Sequence, residues 1–122
     1  MVHSFNTIKY RKAAAIKYPA AYAPSSRTDP EANKFNCAQR AHANYLENQV
    51  PAVSALLIAG AKFPLAAAVC GAGWTLSRYL YMVGYCAGGD GKGRYNGGTF
   101  WLFQFALMGM AGYTGLSMVM GW

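Results

Sequence analysis

The chain has 122 residues, of which 54% are hydrophobic and 12% charged, and its 11 Lys and Arg against 4 Asp and Glu give a formal net charge of +7. That length makes one domain, and so apolar a composition with so little charge is high for a soluble domain of this size, which brings a bilayer forward as its surroundings. A nucleic-acid partner does not fit, because Lys and Arg concentrate before position 41 while Tyr95 to Trp122 carries no Lys, Arg, Asp or Glu.

Taken in chain order, Met1 to Ile8 is too short for the apolar core of a cleavable signal. A polar leader follows, roughly Lys9 to Lys34, in which Tyr18-Pro19, Ala23-Pro24 and Asp29-Pro30 interrupt any long helix, so a short helix end and a folded-back loop are expected. Three segments then approach the roughly 20 apolar residues that a spanning helix needs: Asn36 to Ala61, Pro64 to Ala87 and Gly97 to Gly121. The connectors are Lys62-Phe63 and the glycine-rich stretch Gly88 to Asn96, which carries Asp90, Lys92 and Arg94. The expected architecture is an all-α integral membrane helical bundle forming one domain over residues 1–122. Leader and second connector fall on the same side, and their excess of Lys and Arg makes that side cytosolic; only Lys62 opposes this.

Gly84 and Gly88 have GxxxG spacing, read here as a turn signal rather than a dimer seam. Cys37, Cys70 and Cys86 are odd in number and lack CxxC spacing, which suits buried free thiols and indicates neither a disulfide framework nor a metal site.

Ionisable groups inside a spanning helix cost about 2.5 to 3.5 kcal/mol each near its centre, so those present call for an explanation. Arg40, Asn44 and Glu47 are spaced i, i+4, i+7 and share a helical face; Trp74, Arg78, Tyr81 and Tyr85 form a comparable stripe on the next segment. Glu47 and Arg78 lie at matched depths, roughly 16 and 15 Å from the cytosolic ends of their spans, so the two can meet, and an ion pair that fixes helix register is the plainest use of them. The remaining polar groups exceed what a structural pair requires and point to an anionic polar ligand reached from the basic side. His42 lies off the first stripe and reads as a packing or surface residue. The aromatic and methionine side chains of the third span read as lipid-facing or core surface.

The run Phe35-Asn36-Cys37-Ala38-Gln39-Arg40-Ala41-His42-Ala43-Asn44-Tyr45-Leu46-Glu47, preceded by Tyr18-Pro19 and Thr28-Asp29-Pro30-Glu31, resembles the FNCxQRAHxNxLE signature of the microsomal glutathione transferase 3 type of the MAPEG family. Ser77 to Tyr85 is similar to the family's RxLYxxGY element. The resemblance covers roughly Arg11 onward. It implies homotrimers of four-helix subunits in the membrane of the endoplasmic reticulum or nuclear envelope, with glutathione held between subunits near the cytosolic side. It also implies conjugation of glutathione to lipophilic electrophiles, leukotriene C4 synthase-like activity, or reduction of lipid hydroperoxides, with membrane lipid as the surroundings.

By motif position, Arg11, Arg40, Asn44, Glu47, Arg78, Tyr81 and Tyr85 match glutathione-binding residues. The residue types suit the ligand: two carboxylates for arginine, one ammonium for Glu47. Relatives that make leukotrienes place the thiol-activating arginine seven residues after the tyrosine matching Tyr85. Here that position is Lys92, with Arg94 two residues on; Arg94 is the favoured activating group and Lys92 the alternative. Family members begin with a complete spanning helix, whereas only Met1 to Ile8 stands before the basic run, so the expected bundle retains three spans and little of the first helix. The alternative to an enzyme is a noncatalytic lipid-binding or structural membrane protein.

Overall fold

Asp29-Pro30 starts the longest helix. In the computed structural model, which describes residues 1–122, Asp29 is extended and its carboxylate accepts from the Ala32 amide, Pro30 takes the first helical position, and Glu31 stands in the first turn. Side-chain cap, pre-set proline φ and acidic first turn all favour a helix start here. The helix therefore begins six residues before Asn36, where hydropathy alone suggested. The chain is all-helical: α1 (Val2–Ala13), α2 (Pro30–Gly60), α3 (Pro64–Ala87), a 3-10 turn (Lys92–Gly97) and α4 (Phe100–Met120).

The leader between α1 and α2 is held by side chains. Ala15 takes a left-handed conformation with φ 55° and closes α1, and the Ile16 amide donates back to the Arg11 carbonyl at 3.1 Å. Arg11 is buried, donates to the Ala20 carbonyl at 2.7 Å and lies over the rings of Tyr18 and Phe35. Arg27 forks onto Asp29 at 2.8 and 2.7 Å and donates to the Ala14 carbonyl at 2.6 Å, joining the end of α1 to the start of α2. The Ala23 amide donates to Asn36 Oδ1, and Ala14, Ala23, Ala32 and Phe35 close a small core beneath.

Beyond the tight turn at Ala61 to Phe63, α2, α3 and α4 pack together through small side chains, with Ala55, Ala59 and Ala67 around Leu107. One chain of hydrogen bonds crosses all three helices. Trp74 Nε1 donates to Gln104 Oε1 at 3.0 Å, Gln104 Nε2 to Asn48 Oδ1 at 3.2 Å, and Asn48 Nδ2 to the Asn44 carbonyl at 2.8 Å. Arg78 Nη1 joins it by donating to Asn44 Oδ1 at 2.8 Å. The 3-10 turn lies directly on the last turns of α3. A Cβ on Gly97 would overlap the Tyr81 amide and the Ser77 carbonyl, and Gly84 faces the backbone of Gly93 in the same way. Gly84 is thus a packing glycine within α3, while Gly88 ends that helix.

The outer surface is strongly apolar: Val50, Leu57, Leu65, Leu102 and Val119 are 70% or more exposed. Apolar surface on this scale needs lipid or further protein to cover it. The segment Lys92–Met120 is long and apolar enough to cross a membrane by length and composition. At 1.5 Å per residue, α2 and α3 also exceed the roughly 30 Å of a hydrocarbon core, but their polar residues lower their hydropathy.

The hydrogen-bonded chain makes a direct prediction. Gln104→Leu leaves Trp74 Nε1 and Asn48 Oδ1 unpaired and should cost about 1 to 3 kcal/mol in unfolding of the detergent-solubilised protein. The Asn48→Leu, Gln104→Leu double variant should lose less than the sum of the single losses, because both ends of one bond go together. Additive losses would mean that the two amides act independently. A second prediction concerns acid. The Arg27 fork and the Ala32 amide hold the Asp29 carboxyl at about 2, below its ordinary 3.8. Folded Asp29 binds fewer protons than unfolded, so its contribution is complete above about pH 4 and is lost as pH falls toward 2. Hydrogen exchange across residues 14–29, corrected for intrinsic rate, should quicken over that window, and Asp29→Asn should remove the pH dependence.

Candidate functional site

The early start of α2 adds six residues that carry Asn33 onto the helical face shared by Asn36 and Arg40. Opposite this face stand Tyr85, near the end of α3, and the segment Gly88 to Arg94 that the 3-10 turn presses against it. Together they enclose a polar cleft of about 210 Å³, lined by Asn33, Asn36, Cys37, Arg40, Tyr85, Gly89, Asp90 and Arg94. Two guanidiniums against one carboxylate leave the cleft cationic. Its size is below the roughly 300 to 1,000 Å³ of a complete small-molecule pocket.

Arg94 is half-buried; its Nη2 donates to the Tyr95 hydroxyl at 3.1 Å, and its guanidinium carbon is 5.9 Å from the centre of the Tyr85 ring. The bond to Tyr95 raises its pKa further, so it stays cationic at any working pH. Lys92 is turned away. Its side chain is 87% exposed, its Nζ lies 3.9 Å from Asp90 Oδ2, and its amide is capped by Asp90 Oδ1 at 3.0 Å.

Of the other residues singled out in the sequence, Arg40 and Tyr85 line the cleft, and Tyr81 meets Tyr85 edge to face with centroids 5.5 Å apart. Asn44 lies one turn further along α2 and is engaged by Arg78, which lies outside the cleft. The ion pair that matched depth allowed between Glu47 and Arg78 does not form: Glu47 is exposed and unpaired, while Arg78 turns inward to Asn44 and four aromatic rings. Matched depth was a sound premise, but Asn44 reaches the guanidinium without burying a carboxylate, and burying both ions would cost more. Arg11 holds the leader and does not reach the cleft. His42 is half-buried with its ring 6.3 Å from that of His3, a packing contact.

Asn33, Asn36 and Asp90 line the cleft without having been singled out as site residues. Their signal was available in part, because Asn33, Asn36 and Arg40 share i, i+3, i+7 spacing, but this counts only once Asn33 is known to be helical. Cys37 and Cys86 are buried free thiols and Cys70 is half-buried.

No solved structure gives a significant match to the chain. The MAPEG family model matches residues 1–115, which takes in the leader, the cleft and most of α4. Members of that family are membrane-associated, use glutathione and include membrane glutathione transferases and related enzymes. With the match running over nearly the whole length, this chain belongs to the MAPEG family.

Proposed function

We propose that this protein is a membrane-bound glutathione transferase or glutathione-dependent peroxidase acting on lipophilic electrophiles or lipid hydroperoxides. The observation that carries the reading is the convergence of Arg40 and Arg94, from two separate elements, on one small polar cleft beside Tyr85. Two guanidiniums suit the carboxylates and the thiolate of glutathione. The cleft opens at the end of the bundle that carries the basic leader, which supports a cytosolic mouth, with α2, α3 and α4 as the three spans of one domain in the endoplasmic reticulum membrane.

In this reading Arg40 and Tyr85 hold glutathione at one end, Tyr81 and Asn44 line its path, and the exposed Glu47 meets its ammonium. Arg94 stabilises the thiolate, lowering the thiol pKa from about 8.5 toward 7. The thiolate attacks an electrophilic carbon to form a thioether, as the carbon's leaving group departs or its epoxide ring opens to an alcohol. With a hydroperoxide it attacks the outer oxygen, the O–O bond breaks and the lipid leaves as its alcohol, and a second glutathione then resolves the sulfenic acid to disulfide and water. The small volume of the cleft and the exposed apolar flanks support completion by neighbouring copies in a homotrimer.

Glutathione consumption by the solubilised protein, with a general electrophile and with a fatty-acid hydroperoxide, tests this. Arg94→Ala should lower kcat/KM at pH 7 by about tenfold or more and be rescued near pH 9, because without the cation the thiol pKa rises by about one unit or more. Lys92→Ala should stay within about twofold, given the weak worth of an exposed charge. The opposite ranking would assign activation to Lys92. Glutathione binding without turnover would favour a noncatalytic lipid-binding role, and absence of both would overturn the proposal.

A further inference from the structure

The chain has three free thiols, and the steps proposed above use none of them. Cys70 packs against the cluster around Leu107, toward the end of α3 away from Tyr85. Cys86 accepts a hydrogen bond from Asn6 of α1 at 3.4 Å and faces away from the cleft. Cys37 alone of the three lines the polar cleft, together with Arg40 and Arg94. It is 7% exposed and packs against Ala41 and Tyr85, so its sulfur is reached through the cleft and not from the outer surface. Tyr85, itself 8% exposed, turns into the same space.

Arg40, three residues on along α2, and Arg94 from the connector bring to this thiol the positive charge that favours thiolate, the nucleophilic form. The cleft measures about 210 Å³. A glutathione sulfur held by Arg94 in so small a space lies near Cys37, and no room remains there for a second tripeptide. Reduction of a hydroperoxide needs a second thiol at just that stage, because the sulfenic acid left on the first glutathione must condense to a disulfide. A thiol built into the wall meets the need at once, with the rate advantage of reacting groups already held together.

We infer that Cys37 is a catalytic residue of hydroperoxide reduction, the thiol that resolves glutathione sulfenic acid. The inference rests on the peroxidase reading above and inserts one covalent step in it. The Cys37 sulfur attacks the sulfenic sulfur, an S–S bond forms, the S–O bond breaks, and the hydroxide leaves as water with the thiol proton. A second glutathione thiolate, entering later, attacks the glutathione sulfur of this mixed disulfide and expels the Cys37 thiolate. The sum is unchanged: two glutathiones are oxidised to their disulfide and the hydroperoxide is reduced to alcohol and water. Conjugation to carbon forms no sulfenic acid and makes no use of this thiol.

The test is a single turnover. The full chain in phosphatidylcholine nanodiscs is given one equivalent each of glutathione and a fatty-acid hydroperoxide, quenched in acid, and analysed by mass spectrometry without reductant. With no second glutathione to discharge it, the mixed disulfide should accumulate on Cys37, and excess glutathione should then release it as glutathione disulfide. Cys37→Ser should form no adduct and should shed glutathione sulfenic acid, trapped by dimedone at about tenfold or more the unaltered chain's yield. Cys86→Ser should still form the adduct on Cys37. Hydroperoxide reduction without an adduct, or equal dimedone trapping from both chains, overturns the inference and leaves the peroxidase reading standing. An adduct that forms when hydroperoxide is added first and removed before glutathione makes Cys37 the peroxide-reactive thiol, which overturns its resolving role. Equal labelling by glutathione disulfide alone overturns it too, since exchange then accounts for the adduct. Absence of hydroperoxide reduction overturns both readings. If Cys37→Ser does not fold, the adduct on the unaltered chain decides by itself.

Discussion

The hydrogen-bonded chain from Trp74 through Gln104, Asn48 and Asn44 to Arg78 is the constraint on which the rest of the structure depends. The contacts around it mix small and large side chains, with Ala52 and Phe100 against Trp74 and the rings of Tyr45, Tyr81 and Phe103 packed about them. A helix slid by one residue would strand several amides and an indole in an apolar interior, where each unpaired group is costly. Register in turn sets which residues reach the end of the bundle. Tyr85 meets Arg40 because Trp74, three turns earlier on α3, is tied to α4 and through it to α2.

Charge is distributed with the same economy. Asp29 and Asp90, the two acids that form ion pairs, both stand at helix starts, where they cap backbone amides as well as meeting Arg27 and Lys92. These pairs shape the leader and the connector, and so the mouth of the cleft. Glu47 and Arg78 are left unsatisfied in different ways, one exposed on the outer face and one enclosed in rings.

The connector after α3 positions the site through backbone contact. Glycine at 84, 93 and 97 lets the 3-10 turn lie on α3 without side chains between them. Arg94 is therefore carried by a segment anchored at both ends, and its guanidinium is aimed by Tyr95 and Tyr85. Lys92, two residues earlier on the same turn, points to solvent. Of the two cations the sequence offered, with Arg94 favoured over Lys92, the turn brings Arg94 into the cleft.

The sequence by itself determined the all-helical class, the existence of the long helices, the folded-back leader and the polar stripes on α2 and α3. These follow from local signals: runs of apolar residues, prolines that stop helices, and periodicity on a helical face. It did not determine the start of α2, because a polar first turn looks like loop until Asp29 is seen capping it, and Asn33 was lost from the site with it. It also could not decide the partner of Arg78, since Asn44 and Glu47 share a face and only the rotation of α2 against α3 selects between them. Asn48 and Gln104 were illegible for the same reason. They are 56 residues apart, and an isolated amide in an apolar run becomes informative only when tertiary packing brings its partner within reach.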